Sequence, residues 1–107
     1  MGQPSDVMLR GTLELLLLQA LRAEPLHGYA IARRIEAETD DALRVEEGSL
    51  YPALHRLEQL GFVTARRATT DGGRPVRIYT LTRLGRARLV EQRRNWASFA
   101  RAVRAKA

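Results

Sequence analysis

The side chains able to do chemistry in this chain gather in two stretches. In Gly48 to Gly61, GSLYPALHRLEQLG, a hydroxyl (Ser49), a phenol (Tyr51), an imidazole (His55) and a guanidinium (Arg56) fall close together. In residues 64–77, TARRATTDGGRPVR, the arginines Arg66, Arg67, Arg74 and Arg77 surround Gly72 and Gly73, with Asp71 alone against them. The first set can hydrogen-bond the edges of bases and the second can neutralise phosphates, so the chemistry on offer is recognition of a polyanion. Nothing assembles a nucleophile, a base and an oxyanion site, which argues against an enzyme. His27, just ahead of Gly28, reads as a local hydrogen-bonding residue, and two histidines so differently placed make no metal pair. The chain has no cysteine, which removes disulfides, thiolate catalysis and cysteine zinc sites, and no cofactor is expected.

To present the first set, Gly48 to Gly61 must be a helix. Leu50, Ala53, Leu54, Leu57 and Leu60 recur at the spacing that stacks side chains on one face, and that face is expected to be core. Tyr51, Pro52, His55 and Gln59 fall on the opposite face, with Ser49 and Arg56 on its flank. Gly61 ends the helix as a C-cap glycine would. Pro52 places the start between Glu46 and Ser49; a start near Glu46 leaves the proline beyond the free N–H groups of the first turn. FVTARRAT and PVRIYTL are rich in β-branched and aromatic residues, and TDGGR between them supplies a turn, so the second set sits on a hairpin, with Pro75 suggesting an outer strand.

The remaining elements hold this pair in place. From Gly11, TLELLLLQALRAE is helix-forming and apolar nearly all round, so one face is expected to lie against a second copy of the protein. Pro25 to Gly28 break the pattern, and YAIARRIEAET resumes helix with Ile31, Ala32 and Ile35 inward, ended by Asp40 and Asp41. Leu43 and Val45 are candidates for a very short strand pairing with the hairpin. Met1 to Val7, polar with Gly2 and Pro4, reads as a frayed start. Thr82 is the expected N-cap of a last helix running from Arg83 to near Ala107. Along it Leu89, Gln92, Trp96, Phe99 and Val103 step by three and four, the seam of a two-helix contact. Two helices joined by a short turn and followed by a basic hairpin make a winged helix-turn-helix, so the fold class is mainly α with a small β-hairpin plus a C-terminal dimerisation helix.

A length of 107 residues with 45% apolar and 28% charged composition fits a folded chain with one small core and excludes wholesale disorder. Charge is segregated: residues 1–61 hold 6 basic against 10 acidic side chains, and residues 62–107 hold 12 against 2. The C-terminal half is therefore the one expected to meet a polyanion. The apolar run at Leu15 to Leu18 is too short to cross a bilayer and no signal-peptide pattern precedes it, so a cytoplasmic protein without membrane contact is expected.

The order and spacing of LRGTLELLLLQAL, HGYAIARRIE, EGSLYPALHRLEQLGFV, the GGRP turn and YTLTRLGRARL are similar to those of the PadR family of bacterial transcriptional regulators, from Leu9 to the tail. The resemblance implies a winged helix-turn-helix DNA-binding domain at residues 9–81 and a dimerisation helix at residues 82–107. The partners it implies are double-stranded DNA and a second copy of the chain, in a homodimer on a palindromic operator, mostly as a repressor. Carried onto matching positions, Tyr29, Ser49, Tyr51, Arg56, Gly73, Arg74 and Arg77 would contact DNA; His55 is added from the helical face. Leu89, Gln92, Trp96, Phe99 and Val103 are the expected dimer contacts. In multidrug-sensing relatives a tryptophan of the last helix lines a pore at the dimer centre, and Trp96 with Leu15 and Leu18 would take a small aromatic effector there. Two departures stand out: Glu46 replaces the usual small polar residue at the start of the third helix, and Val76 and Ile78 replace a basic residue and Tyr in the wing. A winged-helix module that binds proteins without sequence-specific DNA binding is the alternative. Binding of structured RNA is a third reading.

Overall fold

The computed structural model describes residues 5–106, which form four helices and three short strands: α1 (Ser5–Ala20), β1 (Leu26–His27), α2 (Gly28–Glu38), α3 (Glu47–Gln59), β2 (Val63–Thr69), β3 (Pro75–Leu81) and α4 (Arg83–Lys106). The mainly α architecture with a hairpin wing is the one expected. Residues 1–4 of the expected frayed start lie outside the described residues, and Ser5 to Val7 belong to α1.

The first three helices meet over one core. Leu17, Leu18 and Leu21 from the first helix and its end, Ile31 and Ile35 from α2, and Leu50, Leu54 and Leu57 from α3 are among its fully buried side chains. Each such leucine or isoleucine contributes about 1.5–3 kcal/mol by leaving water. Ile31, Ala32 and Ile35 are inward as the period predicts. Leu60 departs from the expectation: it is 51% exposed, because it is the C-cap of α3 and the chain is already turning away from the core.

That turn is a Schellman closure. Phe62 N–H donates to the Leu57 carbonyl at 2.9 Å and Gly61 N–H to the Glu58 carbonyl at 3.0 Å, with Gly61 at φ +82°, a conformation that only glycine adopts without strain. The start of α3 is less well closed. Glu46 is the N-cap and makes no side-chain capping bond. Pro52 therefore lies inside the helix, where it has no N–H to give the Gly48 carbonyl.

The sheet has the order β1-β3-β2. The hairpin is in register from Val63 opposite Leu81 to Thr69 opposite Pro75. Two expectations are corrected here. The third strand is Leu26–His27, paired with Tyr79 and Ile78, and does not involve Leu43 and Val45, which pack as partly buried side chains against the core. As a result β3 is the central strand, and Pro75 is tolerated because it is the first residue of that strand, beyond the reach of β1.

Thr82 caps α4 as expected: its Oγ1 accepts from Gly85 N–H at 3.0 Å and donates to the Gly61 carbonyl at 2.6 Å. The first half of α4 lies on α1. Leu89 joins the core, and Glu14 accepts from Arg88 and from Gln92 at 3.2 and 3.1 Å. Burial works against the charge on Arg88, yet hydrogen bonds and attraction from Glu91 and Glu14 outweigh it and raise its pKa above the usual arginine value.

Candidate nucleic-acid interface

The exposed flank of α3, the start of α2 and the wing enclose one cleft of about 900 Å³. Tyr29, Tyr51, His55, Arg74 and Arg77 all line it, so five of the eight sequence-predicted contact residues converge on a single concave surface. Tyr51 is 45% exposed and does two jobs. One edge of its ring rests against Gly28, where an added Cβ would come within 2.8 Å of it, and the rest looks into the cleft.

Tyr29 is exposed and is held by its neighbours. His27 stacks on it at 6.4 Å between centroids, and Arg33 lies 5.8 Å over its ring while donating to its hydroxyl at 3.3 Å. His27 itself caps α2, its Nδ1 accepting from Ala30 N–H at 3.2 Å, which is the local role read from the sequence.

On the wing, strand alternation sorts the arginines. Arg67 and Arg77 are opposite each other and both line the cleft, whereas Arg66, one residue along, is carried to the other face. Arg77 donates to Glu58 of α3 at 3.1 Å and lies 5.9 Å over the ring of Tyr79. Burial pushes the Tyr79 phenol pKa up, with Arg77 pulling the other way. At the tip, Gly73 has φ +82° and its N–H donates to the Thr70 carbonyl at 2.8 Å, while Arg74 N–H donates to Thr70 Oγ1 at 3.1 Å. This closes the turn and leaves the Arg74 side chain exposed.

Ser49 and Arg56 are not brought into the cleft. At 100° per residue they lie about 140–160° round α3 from Tyr51, and Ser49 lines a separate small groove with Leu13, Leu43 and Val45. Arg67, which the sequence offered only as one of four wing arginines, also lines the cleft, as do residues outside the predicted contacts, among them Glu47, Glu58 and Thr70. Arg67 was within reach, since the hairpin register places it opposite Arg77; the acidic residues carried no such signal.

The second expected site is partly rearranged. Trp96 and Leu15 line a groove of about 270 Å³ together with Thr12, Leu16, Gln19 and Arg93. Leu18 does not face it: it is 0% exposed, on the core side of α1. Leu89, placed on the seam by its spacing, is only 6% exposed and is closed to a partner by its own core. Gln92 is occupied by Glu14 of the same chain. Trp96, Phe99 and Val103 remain exposed, with the two rings 6.0 Å apart. Among the described residues no helix is long and apolar enough to cross a membrane.

Comparison with known proteins locates this arrangement. Residues 17–91 match the model of the transcriptional regulator PadR-like family. The chain is 35% identical over 94 residues to the transcriptional regulator Rv3488 of Mycobacterium tuberculosis, covering 88% of this chain and 84% of that one. A PadR-like transcription factor from Bacteroides fragilis superimposes with a TM-score of 0.80 at 28% identity, covering 96% and 97% of the two chains. A transcriptional regulator from Clostridium thermocellum shares the fold, with a TM-score of 0.83 at 22% identity over 94% and 97%.

Proposed function

The chain belongs to the PadR-like family of transcriptional regulators, which are DNA-binding regulators and not enzymes, and from that premise we propose that it is a ligand-responsive repressor acting as a homodimer on a palindromic operator. The observation that carries the reading is the convergence of Tyr29, Tyr51, His55, Arg74 and Arg77 on one cleft between α3 and the wing. In the proposed complex α3 lies in the major groove. Tyr51 and His55 address base edges from the cleft side, and Ser49 and Arg56 address the other wall of the groove. Arg74 and Arg77, with the closed tip at Gly73, hold the adjacent phosphates. Trp96, Phe99 and Val103 form the contact between two copies, which sets the two α3 helices about one DNA turn, roughly 34 Å, apart. An aromatic effector beside Trp96 and Leu15 changes the angle between subunits and so the spacing of the reading helices.

The test is binding to the DNA that flanks the protein's own gene, by gel shift and by anisotropy at several salt concentrations. Replacing Arg74 and Arg77 by Ala is expected to weaken DNA binding and to lower the salt slope by about one for each phosphate that is no longer neutralised. A protein-interaction module would barely respond to the same pair of substitutions, and that result would refute the reading.

A further inference from the structure

One ion pair ties the wing to α3, and both of its partners face the cleft. Arg77 Nη2 donates to both carboxylate oxygens of Glu58, at 3.1 and 3.4 Å. The same guanidinium lies over the ring of Tyr79 at 5.9 Å, so it is held from two directions. Arg67 stands directly opposite Arg77 across the hairpin, and two like charges so placed repel each other. Glu58 is the anion that offsets them. A phosphodiester offers an arginine much the same thing: two oxygens sharing a negative charge, at a spacing that suits the guanidinium fork.

We infer that Glu58 occupies, in the free protein, the place on Arg77 that a DNA phosphate takes in the complex, which makes Glu58 a specificity-determining positioning residue; this rests on the DNA-binding reading above. The contact of Arg77 with the backbone is then an exchange of one anion for another. A random duplex, which offers phosphates without matching base edges, gains little from that exchange. An operator that also engages Tyr51 and His55 supplies the surplus needed to open the pair. Glu58 therefore suppresses binding to arbitrary sequence more than binding to the operator.

Anisotropy titrations of a random-sequence duplex against salt test this with four proteins: wild type, Glu58→Gln, Arg77→Gln and the double variant. Circular dichroism melts of each check that the fold is intact. Glu58→Gln is expected to bind about two- to five-fold tighter, the range of an exposed ion pair, with a log–log salt slope steeper by up to about 0.9 per subunit. In the Arg77→Gln background the same substitution is expected to change neither quantity. An equal gain in both backgrounds would mean that Glu58 acts as a general negative charge and not through Arg77, and would overturn the inference. So would a Glu58→Gln protein that matches wild type, while wild-type binding itself would leave the DNA reading standing. A wild type that binds no duplex at any salt overturns both.

Discussion

At Gly85 a methyl group would stand 2.1 Å from the Phe62 carbonyl oxygen and 2.7 Å from Leu81, and a backbone carbonyl held in the turn after α3 cannot step aside. Gly85→Ala is therefore expected to cost about 1–3 kcal/mol or more by overpacking, read as a drop of about 4 °C or more in melting temperature. Gly28 gives the opposite outcome. There the methyl group would meet the far end of Tyr51 at 2.8 Å, and that ring can swing into the open cleft. Gly28→Ala should leave the melting temperature within a few degrees while weakening DNA binding, since Tyr51 loses the surface that orients it; unchanged affinity would show that the ring's seat is unimportant. The outward placement of Tyr51 was legible because the leucines around it fix the phase of α3. Leu18 was not legible in the same way, because a helix that reads LLLL at residues 15–18 gives no phase from which to tell core side from outer side. The Glu58 contact to Arg77 spans 19 residues and left no trace in local pattern.

Apart from the start of α3, which has no side-chain cap, the boundaries of α3 and the wing are made by small hydrogen-bonded devices, and most of these could be read from single residues. Gly61 and Thr82 are the clearest: one ends α3, the other begins α4, and Thr82 Oγ1 bonds the Gly61 carbonyl at 2.6 Å, joining the two ends. Thr82→Ala removes that bond and the cap to Gly85 together. It is expected to destabilise the protein by about 0.5–2 kcal/mol, measured by denaturant midpoint, with Thr82→Ser recovering most of the loss. Failure of serine to rescue would mean that the methyl group matters more than the hydroxyl. The strand β1 escaped prediction for a physical reason. Two residues carry no periodicity, and Leu26–His27 lies in the break between helices, whereas Leu43 and Val45 have better β-forming side chains. Burial decided the matter, because the latter pair fills space against the core.

Two surfaces of the molecule stand apart. The cleft lies between α3 and the wing, and the outer half of α4 carries Trp96 and Phe99 about half exposed. Large aromatics left uncovered outside the core are expected to be covered by a second copy. Light scattering on the intact protein is expected to give a dimer, and Phe99→Glu to give a monomer that keeps its helical circular dichroism. A wild type that stays monomeric at high concentration would remove the proposed twofold arrangement. Trp96 is the single tryptophan in the chain, so its fluorescence reports this region alone; titration with planar cationic or phenolic compounds is expected to quench it, and no quenching by any of them would leave the ring as packing. At this scale the sequence was informative about charge, which it divides between the halves. It misjudged how far along α4 the subunit's own core extends, because Leu89 and Phe99 share one periodic pattern and only folding separates them.

The pairing of Leu26–His27 with Tyr79 and Ile78 gives the first helix a direct grip on the wing. Five residues lead from the end of α1, 21–25, to backbone hydrogen bonds one position from Arg77. A rotation of α1, whose Leu15 and Leu16 line the Trp96 groove, would thus reach the basic strand through this pairing as well as through the core that α1 shares with α3. Occupancy of the Trp96 groove would then register as faster amide exchange at Ile78 and Tyr79, as a pulled drawstring loosens the cloth it runs through.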